Sequence, residues 1–364
     1  GFLSGWVILM DYMLLPMLNY IVAASFITAA LPGVPRWVGI ILLLVICTMV
    51  NYFGIRVASN VNNIIVWLQI IFLAAFLFFT IRYIAGGGGA GTIFDMSAFY
   101  NSAELSTPGM GWSVIFGGAS ILALSFLGFD AISTISEEAI NPEVNVGRAI
   151  VLSCVIAGIG FITISYFLQL SWPTAWIETD NSDAAIYELV NKVASPVMAN
   201  LSSAIYVVAL IACSSAAQAS GARVLYGMGR DGIIPQKFFA HLHEKHKSPS
   251  YNVLLIGTIS LTALFLSLET AISLVNFGAL FGFTLVNLSV IAHYFIKNKQ
   301  RKGIDLARYL ITPLCGAAFT FTLWISLDIH SKILGFSWLT IGIIYLAIKT
   351  SFFRKLPPEM HLEG

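Results

Sequence analysis

A chain of 364 residues with 58% hydrophobic and only 10% charged side chains cannot cover itself for water, because a soluble domain carries about 25% charged residues. With a net charge of +1, nothing global points to nucleic acid or to an acidic partner. The outside of this chain must face lipid. A membrane-crossing helix needs about 20 apolar residues. Ten such runs are expected, near residues 2–31, 38–55, 61–84, 112–135, 148–172, 199–227, 251–268, 271–296, 308–328 and 333–350.

Taken in chain order, the first run begins at Gly1 and is apolar at once, without a charged stretch and cleavage site. It reads as the interior of a longer protein. Asp11 lies within it, followed by Tyr12 and Pro16. A carboxylate inside a span is costly, which makes it a functional candidate against a bland role of pairing with a nearby donor. The Pro32–Pro35 turn closes the first run, the Gly86–Gly89 stretch closes the third, and Asn141-Pro142 precedes the fifth.

The fourth run carries Ser125-Phe126-Leu127-Gly128-Phe129-Asp130. Gly128 lowers helix propensity by about 1 kcal/mol relative to Ala. A break there frees backbone groups that can bind a ligand when they line a cavity. Asp130 offers a carboxylate to an organic cation, and Phe126 and Phe129 offer ring faces. Along an unbroken helix, however, Asp130 would lie about 27 Å from Trp112, near the inner membrane edge. Both a place on the substrate path and a structural role therefore stay open. Glu137 and Glu138 follow at the membrane surface, as caps or as part of a cation path.

Further on, Cys213 to Gly221 is rich in small residues, and Asn276 and Gly278 interrupt the apolar 271–296 run. Close helix packing competes at both with direct substrate contact. The soft break near Glu269 is taken as a turn. The four cysteines (Cys47, Cys154, Cys213, Cys315) stand alone in apolar stretches and read as small buried residues. His241, His243 and His246 share a loop with Lys245 and Lys247, whose charge disfavours a metal. No HExxH, Walker or GxSxG motif appears, so an enzyme is not expected.

Charge sets the orientation. With the loops around Arg56, Glu143, Lys237 and Lys299 and the C-terminus on one side, that side holds 15 of the 19 Lys and Arg. It is therefore the cytoplasmic side. Arg36, Arg82, Lys192, Lys332 and the acidic 178–188 loop take the other.

These residues resemble the amino acid–polyamine–organocation (APC) permeases, and within them the bacterial putrescine importers. The resemblance runs along the whole chain. Its strongest pieces are Gly5 to Met17 with Asp11-Tyr12, Ser125 to Glu138, Ala222 to Asp231, and Val275-Asn276 with the Phe-Gly-Ala that follows. It implies an all-α integral membrane fold, with two inverted five-helix repeats and two extra helices. The ten runs would then be family helices three to twelve, with the first two helices absent and transport impaired. The fourth run would be the broken sixth helix, and Tyr12 would lie in family helix three beside the substrate path.

The implied function is proton-driven import of putrescine or a related polyamine or amino acid across a bacterial inner membrane. The site would comprise Tyr12, Phe126, Gly128, Phe129, Asp130, Glu137, Glu138 and Asn276. Expected partners are a small cationic or zwitterionic substrate, a coupling proton and the lipid bilayer, with no cofactor, metal or nucleic acid. A neutral amino acid permease and a non-transporting truncated bundle are the other readings.

Overall fold

The computed structural model describes residues 2–54, 59–99, 111–130, 132–133, 139–179 and 182–352. Arg56, Glu137, Glu138 and Asp180 lie outside them, as do residues 353–364 of the C-terminus. Among the described residues every regular element is helical. The main helices are α1 (Phe2–Ala30), α2 (Arg36–Tyr52), α3 (Ser59–Ala85), α4 (Gly111–Leu122), α5 (Pro142–Ser171), α6 (Ala185–Val193), α7 (Pro196–Arg230), α8 (Ser250–Ser260), α9 (Leu268–Val290), α10 (Thr312–Ile325) and α11 (Ile329–Lys349). Seven helical stretches in the described residues are long and apolar enough to cross a membrane, and three shorter ones, Arg36–Tyr52, Trp112–Phe126 and Ser250–Leu264, are also apolar.

Local chemistry explains many of the starts. Proline at the first helical position loses no needed N–H and opens α5 and α7. Side-chain oxygens satisfy orphan amides elsewhere. Ser195 accepts from Met198 N–H at 3.3 Å, Ser267 from Thr270 N–H at 3.2 Å and Asp328 from Ser331 N–H at 3.0 Å. The break expected at Glu269 falls a few residues earlier, around Phe265–Ser267, and Glu269 sits in the first turn of α9, where the helix dipole favours an acid.

α1 is the centre of the bundle, buried between α2, α7 and α9. Met17, Ile21 and Ala24 pack with Ile40, Leu43 and Cys47 of α2 and Val275 of α9. Pro16 does not break α1, which continues through it to Ala30. The buried neighbours enforce the helix against the lost hydrogen bond, as membrane helices tolerate. Trp6 and Trp338 clasp the first helix to the last: each indole N–H donates to the other's carbonyl at 3.0 Å, and the rings stack at 4.7 Å.

α3 and α5 turn large apolar side chains outward, Trp67, Ile71, Ile156 and Ile159 among them, which suits a lipid-facing surface. Three of the cysteines depart from expectation. Only Cys47 is buried; Cys154 is partly exposed, and Cys213 and Cys315 are exposed.

At the rim, Arg36 pairs with Asp183 at 3.5 Å, so the α1–α2 turn and the 178–188 loop share one side. On the opposite rim, Ser248 donates to the Tyr52 carbonyl at 2.6 Å, and Tyr345 to the Ile233 carbonyl at 2.7 Å. The histidine loop therefore lies against the end of α2. His243 Nδ1 accepts the Lys245 and His246 amides at 3.2 and 3.3 Å. Those bonds make the imidazole a loop brace, and no group of metal-ligating side chains occurs among the described residues.

Candidate functional site

α4 stops at Leu122, and a 3₁₀ turn, Ala123–Phe126, follows. Leu127 is then extended, with φ −64° and ψ 143°, and Gly128 takes φ +107°. That backbone angle, more than any shortage of space, requires glycine, since nothing lies within 4 Å of where a Cβ would stand. The residue that weakens the helix in sequence is the one at which the chain turns. The unbroken path that would carry Asp130 to the membrane edge does not exist.

Asp130 sits just past the break and closes it. Its Oδ1 accepts the Gly128 N–H at 3.1 Å, and its Oδ2 accepts the Tyr12 hydroxyl at 2.8 Å. One carboxylate thus holds the irregular backbone and joins it to α1. Tyr12 is 7% exposed and is set by close packing against α7. A Cβ on Gly221 would meet the Tyr12 Cβ at 3.2 Å, so the small-residue run Cys213–Gly221 serves helix approach.

Asn276 works from behind. It is fully buried on α9, and its amide donates to the Ser120 and Ile121 carbonyls at 2.8 and 3.1 Å. These carbonyls lie in the last turn of α4, where the break leaves acceptors without intrahelical donors. Asn276 therefore positions the broken end from within the helix contact.

The two aromatic rings go different ways. Phe126 lies edge-on to Phe161 of α5 at 5.3 Å, whereas Phe129 packs against Phe283 of α9 at 5.0 Å. Between α4 and α5 a cleft of about 240 Å³ is lined by Ser125, Phe126, Gly128, Phe129, Ser153 and Cys154. Tyr12, Gly128 and Asp130 are thus brought together, Phe126 and Phe129 line the cleft beside them, and Asn276 supports from α9. Glu137 and Glu138 are beyond the described residues.

A second polar cluster, at the α2–α7–α8 crossing, carried no sequence motif. Asn51 Nδ2 donates to Gln218 Oε1 at 2.9 Å and to the Cys47 and Ser215 carbonyls at 3.1 Å. Gln218 Nε2 donates to Thr48 Oγ1 at 3.2 Å and the Val253 carbonyl at 3.1 Å. Lone amides in apolar runs were the available signal, since a buried amide must find partners.

A bundle of apolar helices, one of them broken around a carboxylate beside a cleft, is consistent with a membrane transporter. The family described as "Amino acid permease" matches residues 1–353. The low-affinity putrescine importer PlaP of Escherichia coli K12 is 38% identical over 362 residues, covering 99% of this chain and 78% of PlaP. A probable low-affinity putrescine importer of Klebsiella pneumoniae is 44% identical over 153 residues, 42% of this chain and 78% of that protein. The branched-chain amino acid permease BcaP of Bacillus subtilis is 26% identical, covering 85% of this chain and 63% of BcaP. This chain belongs to the amino acid permease family of the APC superfamily.

Proposed function

We propose that this permease is a secondary transporter that imports putrescine, or a related polyamine or amino acid, across a bacterial inner membrane with a coupling proton. The observation that carries the reading is the Asp130 carboxylate at the α4 break, held by the Tyr12 hydroxyl at 2.8 Å and the Gly128 amide at 3.1 Å. A carboxylate with neutral donors and ring faces around it is a partner for an ammonium group. Its hydrogen bonds fix it in place without cancelling its charge.

In this reading Asp130 binds the ammonium, Tyr12 supplies its hydroxyl and ring face, and Phe126 and Phe129 supply further ring faces. Gly128 permits the break, and Asn276 holds the helix end. Glu137 and Glu138 are assigned from sequence to the inner mouth. The ten apolar helices, α1 to α5 and α7 to α11, serve as family helices three to twelve of a five-plus-five inverted repeat, with the C-terminus in the cytoplasm. The similarity to PlaP, a putrescine importer, supports a diamine; that to BcaP, a branched-chain amino acid permease, supports a branched-chain amino acid.

Competition separates the two. With the permease expressed from its complete reading frame, labelled putrescine uptake is expected to be displaced by longer polyamines and hardly by neutral amino acids. Equal displacement by leucine or valine would overturn the diamine assignment and leave a neutral amino acid permease.

A further inference from the structure

Asp11 is a carboxylate that the cleft at the α4 break does not use. It is 3% exposed on α1, and its Oδ1 has no hydrogen-bond partner among the described residues. The ion pairs described are all elsewhere, at Arg36–Asp183, Lys192–Glu178 and Arg230–Asp231. The titratable groups within electrostatic reach are Tyr12 on its own helix, Asp130 at the break and Cys213 on α7; none supplies a positive charge. α9 packs against it with no titratable residue between Glu269 and His293.

Space narrows the ligand further. α9 backs onto this turn of α1 so closely that a Cβ on Gly278 would stand 2.8 Å from the Val7 carbonyl oxygen and 3.4 Å from the Asp11 amide. On the α9 side of this turn, helices in such backbone contact leave no room for a four-carbon diamine. An isolated carboxylate anion in such surroundings is strongly disfavoured, whereas the uncharged acid needs no counterion. A proton is the smallest ligand that satisfies Asp11 and needs no counterion, and intramembrane acids of this kind serve proton relays.

We propose that Asp11 binds the coupling proton of this permease, an assignment that rests on the proton-driven reading given above. A proton from the outer water adds to the Asp11 carboxylate, and the neutral acid allows α1, α7 and α9 to close around it. After the site opens inward the acid releases the proton to the inner water, and no other bond changes. Tyr12, one residue on, ties the same turn of α1 to the Asp130 pocket, so closure over substrate and closure over the proton involve one helix.

The test is uptake into proteoliposomes carrying the permease expressed from its complete reading frame. Wild type is expected to accumulate putrescine in response to an inward pH gradient, and a protonophore should abolish this. Asp11→Asn, which mimics the neutral acid, should lose gradient-driven accumulation while putrescine–putrescine counterflow continues near the wild-type rate. Asp11→Glu, which keeps an acid, should retain gradient dependence with a shifted pH profile. It carries the test if the Asn variant does not fold. Full gradient-driven accumulation by Asp11→Asn would overturn the assignment. So would loss of counterflow in a folded Asp11→Asn protein, or an Asp11→Glu protein that exchanges but ignores the gradient. If wild type itself ignores the gradient while importing putrescine, the proton-driven reading falls and this assignment with it.

Discussion

At the α2–α7–α8 crossing, Asn51, Gln218 and Thr48 exchange hydrogen bonds with one another and with backbone carbonyls, and no charge is involved. At the α1–α4 crossing, a carboxylate takes one bond from a tyrosine and one from an irregular backbone, and a cleft opens beside it. The first arrangement uses neutral amides with donors committed, the way polar groups glue membrane helices. In the proposed reading the first region is built to stay closed, and the second offers its carboxylate to a cation. The same distinction runs along this stretch of chain: α4 is regular helix whose last carbonyls are held by Asn276, and the turn after it is held by the Asp130 carboxylate.

Substitutions should break the two regions in different currencies. The largest effect expected in this set is at Tyr12. Tyr12→Leu removes both hydroxyl and ring face, and the putrescine KM should rise by at least about tenfold, the equivalent of about 1.4 kcal/mol. Tyr12→Phe keeps the ring and should raise it only modestly; equal effects of the two would make the ring irrelevant. Next is Gln218→Leu at the amide cluster. Partners left unbonded in a buried site cost about 1–3 kcal/mol. Thermal denaturation in detergent should therefore come at lower temperature, while the ranking of competing substrates stays unchanged.

Asn276→Leu lies between the regions. Freeing the Ser120 and Ile121 carbonyls should lower stability by about 1–3 kcal/mol and slow transport, with KM changed less than by Tyr12→Leu, because Asn276 does not face the cleft.

The smallest effect belongs to the connection between α5 and α6. Hydrogen bonds from Thr174 and from the Trp172 indole, at 2.5 and 2.6 Å, hold Glu178 below the ordinary glutamate value of 4.5, with Lys192 adding to them. A carboxyl held low stabilises the fold above its ordinary value, and that contribution fades as pH falls through the depressed value. Trp172 emission should therefore change only below about pH 4.3, and Glu178→Gln should remove the pH dependence while leaving uptake intact.

Much of this was legible in the sequence because it depends on composition and on rare residues. Long apolar runs announce helices, and Gly128 announced the break because a glycine is needed at φ +107°. Asp130 was visible as a carboxylate where polarity is costly, and Tyr12 through the family resemblance. Their direct hydrogen bond was not, because 118 residues separate them and only the packing of α1 against α4 decides the pairing. Asn276 read as a packing residue ahead of a binding one; its orientation toward the α4 carbonyls depends on which face α9 presents. Pro16 lies inside α1 without ending it, because propensity in an isolated helix gives way to burial among neighbouring helices. The Gln218 network and the Trp6–Trp338 clasp had no motif at all, since single amides and tryptophans acquire meaning only from partners far along the chain.

The central claim is that Asp130 is the negative partner of an ammonium group. Putrescine binding to purified permease, expressed from the complete reading frame, tests it directly in wild type and Asp130→Asn by titration calorimetry. Removing one partner of a desolvated charge pair costs about 2–5 kcal/mol, so Kd should rise by at least about thirtyfold, with the yield and chromatographic profile of folded protein unchanged. An Asp130→Asn protein that binds putrescine with wild-type affinity would contradict the account and leave Asp130 as a brace for the α4 turn.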